Sequence, residues 1–535
     1  MTRSREVLVA ILLAVSGCQP LVDHRPGATK QVTLQIKLAA LPAAEINGIG
    51  SFSLQVLSNG NEAARHALAF NPTQRALTWL SEPTDLPTGG QLELRLTAAN
   101  FEGTALPIGG RAGPIDLDSV AIDGTVVVRT VIGRLDRFAS LGAQLAVPRF
   151  GHSATALGDR GVLVVGGASG GTPDAPTALT PVAEWLDFWG TSCSSTDTAV
   201  CTFGAPPAPR RGHIALALGD TFDVGCPNRG LALIGLGADA SGAGLDDLYL
   251  FDPDALSNGG AFTRLSGLSV RARVDAMAFA SSDCRVAIVG GRASHTGPTI
   301  AGVDVLLFDA SGVTLESSGT TVPAPTSAAV LIPTGNLLGE VVVAGGADSS
   351  GTAQHSAVSL HFENGSLRVC PLTSPSCNGG ATRMICDRAG LAAGVIEQSE
   401  NETRALVIGG DRSGVCSTGN AEIFVSSNAA STWNSFSSLA AQPISVRQVG
   451  HTVSSTNDGE VLIVGGADLS GTALHVLKEV EVLQATPALT FVARPALSTP
   501  RAFHRAIRVG GALVLIGGFD GMDTVGAVEV YVPGF

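Results

Sequence analysis

Lysine is almost missing from this chain of 535 residues: it occurs only as Lys30, Lys37 and Lys478. Charged residues of all kinds make up 15% and the net charge is −13. A nucleic-acid partner needs a basic stripe that displaces counterions from phosphates, and this composition excludes one. Tyrosine is as scarce, with Tyr249 and Tyr531 alone. The nine cysteines contain no C-x-x-C spacing, which excludes the common zinc and thioredoxin-type motifs. Beyond the N-terminus no run approaches 18 uninterrupted apolar residues, so the rest of the chain belongs in water.

Glycine is abundant at 66 residues, where average usage would give roughly 37. Together with apolar runs rich in Val, Leu, Ile and Thr, this predicts an all-β chain of short strands and tight turns. Its length predicts more than one domain.

Residues 1–17 read as a signal peptide: Arg3 and Arg5 precede an apolar stretch from Val7 to Val15, and small residues lead to Cys18. Val15-Ser16-Gly17-Cys18 resembles the bacterial lipobox, which implies lipidation of Cys18 and an anchor to the cell envelope. Gln19, in place of a retaining Asp, points to the outer membrane. Residues 18–29 then form a tether. In an oxidising compartment the other eight cysteines are expected to pair. Proximity suggests Cys193–Cys201, Cys226–Cys284, Cys370–Cys377 and Cys386–Cys416, with connectivity left open by sequence.

From about residue 135 a phrase recurs seven times: an apolar strand, a glycine doublet, a polar loop and another strand. The doublets are Gly166-Gly167, Gly290-Gly291, Gly345-Gly346, Gly409-Gly410, Gly465-Gly466 and Gly517-Gly518, with a broken copy starting at Gly235. Each is preceded by Arg-x-Gly-His or a relative, as in `RFGHSATAL`, `RRGHIALAL`, `RVDAMAFA` and `RAFHRAIRV`. A third strand follows, such as `DLYLFDP`, `AEIFV` or `VEVYV`, then a poorer fourth. Four short strands in a unit of about 55 residues, repeated radially, is the pattern of a β-propeller. The pattern resembles the Kelch family over residues 135–535, carried by the doublet, the Arg-x-Gly-His lead-in and the third-strand aromatics Tyr249, Phe308, Phe424 and Tyr531. The resemblance implies seven blades. The family's fourth-strand Trp is clear only at Trp433. Unit seven ends at its third strand, so 137–149 is expected to supply the missing outer strand beside 528–532.

Residues 30–134 lack the doublet but alternate with period two in `QVTLQIKL`, `SFSLQVLS`, `QLELRLTA` and `TVVVRTVI`, predicting an antiparallel β-sandwich of Ig-like size.

Two repeated positions carry chemistry. His152, His213, His451 and His504 could meet on a metal near the axis, but a side chain repeated once per unit reads first as local scaffold. Asp239, Asp348, Asp411, Asp468 and Asp520 follow the doublets and read as turn caps rather than a calcium shell. Copper enzymes of the galactose-oxidase type need tyrosine ligands that two third-strand aromatics do not provide. No catalytic, metal or cofactor residues are assigned, and no cofactor is expected. The expectation is an exported, lipid-anchored binding, adhesion or scaffold protein with a protein or glycan ligand. A carbohydrate-active enzyme on the same propeller is the alternative.

Overall fold

The computed structural model describes residues 29–535 apart from short internal stretches, the longer ones being 40–46, 118–123, 190–198, 372–382, 411–420 and 428–433. The protein is all-β. Among the described residues are seven four-stranded sheets, two two-stranded ribbons and one eight-stranded sheet.

Each four-stranded sheet is antiparallel, and in the first six the neighbours follow chain order. In the third, Met277–Ser281, Arg285–Val289, Asp304–Asp309 and Gly312–Glu316 lie side by side. The second strand of each sheet is apolar on both faces and buried on both, as at Val162–Val165 and Val461–Val464. One such sheet cannot cover its own faces, so it packs between two others. Clusters such as Met277, Phe279 and Val305 with Val341, Val343 and Leu360 join the third sheet to the fourth.

The glycine doublets make these junctions. The second glycine of each sheet donates its N–H to a carbonyl at the next sheet's lead-in. The bonds run Gly167 to Arg210 (2.9 Å), Gly237 to Arg273 (2.6 Å), Gly291 to Thr326 (2.9 Å) and Gly346 to Arg388 (2.8 Å). They continue from Gly410 to Gln448, Gly466 to Arg501 and Gly518 to Arg149, each 2.9 Å. The last returns from the seventh sheet to the first, so the order is cyclic. Both doublet positions lie in the left-handed region, for instance Gly166 at φ 63° and Gly167 at φ 85°. A Cβ on Gly166 would sit 2.5 Å from the Arg210 carbonyl oxygen, and one on Gly167 would sit 2.6 Å from that of Phe150. Conformation and space both demand glycine.

The second sheet corrects the sequence alignment by one residue. Its strand is Ala232–Gly235, and the left-handed pair is Leu236 (φ 60°) and Gly237 (φ 89°). Leu236 therefore replaces a first glycine and is fully buried in the core between the second and third sheets.

The seventh sheet contains Arg505–Val509, Ala512–Ile516 and Ala527–Tyr531, and its outer strand is Phe138–Gln144. Ala527 pairs with Gln144 and Tyr531 with Phe138, as strand counting requires. The Phe138 and Tyr531 rings pack 5.3 Å apart.

The N-terminal segment departs from a two-sheet sandwich. Its eight strands form one connected, curled sheet, a half-barrel around a core of Leu34, Ile36, Phe52, Leu54, Leu94 and Leu96. The cause is Thr29–Ala39, which pairs in parallel with Thr125–Arg134 on one side. On the other it pairs antiparallel with Ala76–Leu80 and Thr84–Pro87. One strand thus bridges what would otherwise be two sheets. This half-barrel abuts the seventh sheet: Val131 N–H donates to the Gly510 carbonyl (3.1 Å), and Leu135 bridges Val532. The Arg95 guanidinium lies over the Phe535 ring.

Candidate functional site: the axial cavity

Lead-in arginines hold each sheet's inner corner. Arg149, Arg210, Arg273, Arg388 and Arg501 are completely buried, and each pairs with an acid on its own third strand or, for Asp247, immediately before it. The pairs are Arg149–Glu184, Arg210–Asp247 (2.8 Å), Arg273–Asp304 (2.9 Å), Arg388–Glu422 (2.9 Å) and Arg501–Glu529 (2.6 Å). Each arginine also donates to the carbonyl of its own first doublet residue: Gly166, Leu236, Gly290, Gly409 or Gly517. The fourth sheet lacks both partners, having Thr326 and Val358 in their places. The acids escaped sequence reading, although an acid recurs within the first three residues of the third strand or just before it.

Two residues past each of these arginines, and at the matching place in the fourth and sixth sheets, the chain turns inward, and all seven turns are left-handed. The residues are Gly151, Gly212, Asp275, Ala328, Gly390, Gly450 and Phe503, with φ between 53° and 77°. They form a collar around the axis through backbone bonds. Asp275 N–H donates to Gly212 O (2.8 Å), Phe503 N–H to Gly450 O (2.8 Å) and Gly151 N–H to Phe503 O (2.9 Å). Three collar residues keep a Cβ where glycine would be unstrained, at a cost of about 1–3 kcal/mol each. Two of these, Asp275 and Phe503, place a carboxylate and a phenyl ring on the cavity.

All seven collar residues line one axial cavity of about 670 Å³. Its charged groups are Arg211, Arg292, Arg505 and Asp275, with His295 on the wall. A second cavity of about 300 Å³ shares Arg505, His213 and Ala276 with it. Crowding by the walls pushes the Asp275 carboxyl above the usual range, against the pull of His295, Arg211, Arg292 and Arg505. It lowers Arg505, which Asp275 partly offsets. None of these residues stood out in the sequence. The available signal was the loss of glycine from a position that otherwise repeats it, in `RVDAM` and `RAFHR`.

The four repeated histidines are wedged between sheets. His213 Nε2 lies 2.8 Å from Ser153 Oγ, His451 Nε2 lies 3.1 Å from Ile408 O, and His504 Nε2 lies 2.9 Å from Thr452 Oγ1. His152 sits against Gly517, where a Cβ would come within 2.6 Å of its ring. Desolvation holds His152 and His504 well below the ordinary histidine range and takes His213 down to about 3. These rings are neutral in the fold, whereas unfolded histidine titrates near ~6.5. Their contribution to stability is present above that value and is lost as pH falls toward about 3. The melting temperature is therefore expected to drop between pH 7 and pH 4, and to drop less in His213→Asn. Equal acid sensitivity in variant and parent would contradict this assignment.

The loop aspartates act locally. Asp239 Oδ1 accepts from Ser241 N (2.8 Å) and Ala243 N (3.1 Å), Asp348 Oδ1 from Ser350 N (2.9 Å) and Thr352 N (3.0 Å), and Asp520 Oδ1 from Met522 N (2.8 Å). Asp468 lies in a two-residue ribbon opposite His475, and Asp411 lies outside the described residues.

Cys226 and Cys284 form a disulfide between the second and third sheets. Cys201, Cys370 and Cys386 are also disulfide-bonded. Cys193, Cys377 and Cys416, their expected partners, lie outside the described residues, as do Cys18 and Trp433.

No known family's sequence pattern matches the chain, and no curated protein matches it. Among solved structures, one described as "Structure of YjhT" is similar with a TM-score of 0.41 and 13% identity, over 73% of this chain and 96% of that one.

Proposed function

We propose that the protein is an exported, lipid-anchored binding protein, and that its seven cyclic sheets are the blades of a Kelch-like β-propeller. Its ligand, a glycan or a protein, is engaged at the axial mouth. One observation carries this reading: the seven collar turns converge on a single cavity, and three of them hold strained, non-glycine side chains against it, a carboxylate and a phenyl ring among them. Strain kept at a cavity wall in an otherwise glycine position marks selection for the side chain itself. The disulfide supports an oxidising compartment. Among the described residues the cavity lining carries one carboxylate, Asp275, whereas glycoside hydrolysis generally uses two, which favours binding over hydrolysis.

The test is an unbiased screen of the purified protein against glycans and envelope proteins. Binding should be lost in Ala276→Trp, which fills the mouth, with the melting temperature unchanged. A screen without a ligand that this variant loses would overturn the reading. The anchor is tested separately. Cys18→Ala should release the protein from the membrane fraction and abolish palmitate labelling, and unchanged labelling would end the lipoprotein assignment.

A further inference from the structure

Three arginines from three different sheets reach the axial cavity without forming an ion pair, in a chain whose net charge is −13. They contrast with the five lead-in arginines, each of which has its own carboxylate. Arg211 makes no side-chain hydrogen bond among the described residues. Arg292 is braced from behind: its Nε donates to Ser327 Oγ (2.9 Å) and its Nη2 to the Asp348 carbonyl (2.8 Å). Arg505 is braced by Nε to the His152 carbonyl (2.7 Å), and it lines both the mouth and the second cavity. A guanidinium offers five donors, so bracing one or two leaves a planar fork for a carboxylate.

Asp275 is the one acid in this lining among the described residues and forms no ion pair with the three arginines. With the buried-side histidines neutral, three guanidinium charges against one carboxylate leave about two positive charges unmatched. Like charges confined between walls repel, and a bound dianion relieves that repulsion while accepting the idle donors.

We propose that the axial cavity is a site for a small organic carboxylate, with a dicarboxylate favoured, held by Arg211, Arg292 and Arg505 and disciplined by Asp275. This rests on the axial mouth being the ligand-binding surface, and adds the chemistry of what enters it. Asp275 works as a selector. It repels excess negative charge and accepts from a donor on the ligand, so affinity alone is not maximised.

Calorimetric titration of the purified protein at low salt with succinate, glutarate and adipate tests the proposal, with butyrate, 1,4-butanediol and inorganic sulfate as comparison probes. At least one dicarboxylate should bind, more tightly than butyrate, with no heat from the diol. Arg211→Gln should weaken it by about tenfold or more, the scale of a lost charge-assisted hydrogen bond. Arg505→Gln should do the same, and Asp275→Asn should tighten it. Melting curves identify any variant that fails to fold, and Arg211→Gln, whose side chain is unbonded, is the least exposed to that failure. Absence of binding, sulfate binding as tightly as the best dicarboxylate, or indifference to Arg211→Gln would overturn the proposal. A screen hit that Ala276→Trp removes but Arg211→Gln and dicarboxylates leave untouched would overturn it while leaving the binding reading intact.

Discussion

Deleting residues 137–147 is expected to convert a soluble, cooperatively melting protein into one that aggregates. Phe138–Gln144 is the outer strand of the seventh sheet and pairs with Ala527–Tyr531, almost four hundred residues away. Its loss strips a row of backbone partners from Ala527–Tyr531 and creates an open sheet edge, a template for pairing with other chains. It also removes Phe138, Ala139 and Leu141 from buried positions against Tyr531, the half-barrel core and the first sheet. At about 1.5–3 kcal/mol for each large apolar side chain, that loss alone approaches the stability of a typical domain. Size-exclusion chromatography should show the deleted protein in the void volume. A monomeric, normally melting deletion would mean that the strand is dispensable.

A comparably large effect is expected at the buried ion pairs. Arg501 is fully buried and Glu529 nearly so, and their bond of 2.6 Å is joined by Ser498 Oγ at 2.8 Å from the same carboxylate oxygen. Removing one partner leaves an uncompensated buried charge, at a cost of about 3–5 kcal/mol. The fourth sheet has already made the double replacement, with Thr326 and Val358 where five others have arginine and acid. Arg501→Thr alone should therefore lower the denaturant midpoint sharply. Adding Glu529→Val should recover at least half of the loss, because the stranded carboxylate is gone. If the double variant is as unstable as the sum of the two singles, the two residues are not coupled and the stranded-charge account is wrong.

These effects also separate what a linear sequence can disclose from what it hides. Apolar runs such as Val162–Val165, Val461–Val464 and Ala512–Ile516 are legible because a strand buried on both faces is written as an uninterrupted run. The outer strand at Phe138–Gln144 is legible by counting, since six units provide a fourth strand and the seventh does not. The one-residue shift at Leu236 was hidden, because a leucine in a left-handed turn contradicts local preference and is tolerated only by the arginine and core around it. The curled half-barrel was hidden for a different reason. Period-two alternation reports which face is buried, not which strand is the neighbour, and Thr29–Ala39 has partners on both sides. The axial cavity was the least legible feature. Arg211, Asp275, Arg292 and Arg505 sit at different offsets within their repeats, so only the closed ring brings them together.

Cyclic closure is what assembles that cavity, and one cross-link tests it most directly. Gln144 and Ala527 are paired across the closing strands, and Gln144 is exposed. The double substitution Gln144→Cys, Ala527→Cys should form a disulfide on mild oxidation, because paired strand positions lie within the reach of that bond. Peptide mapping without reductant should then recover the two segments as one covalently linked species in nearly all molecules. Two free thiols at these positions in the folded protein, or cross-linking of the residue at 144 to the N-terminal half-barrel instead, would contradict closure and with it the site.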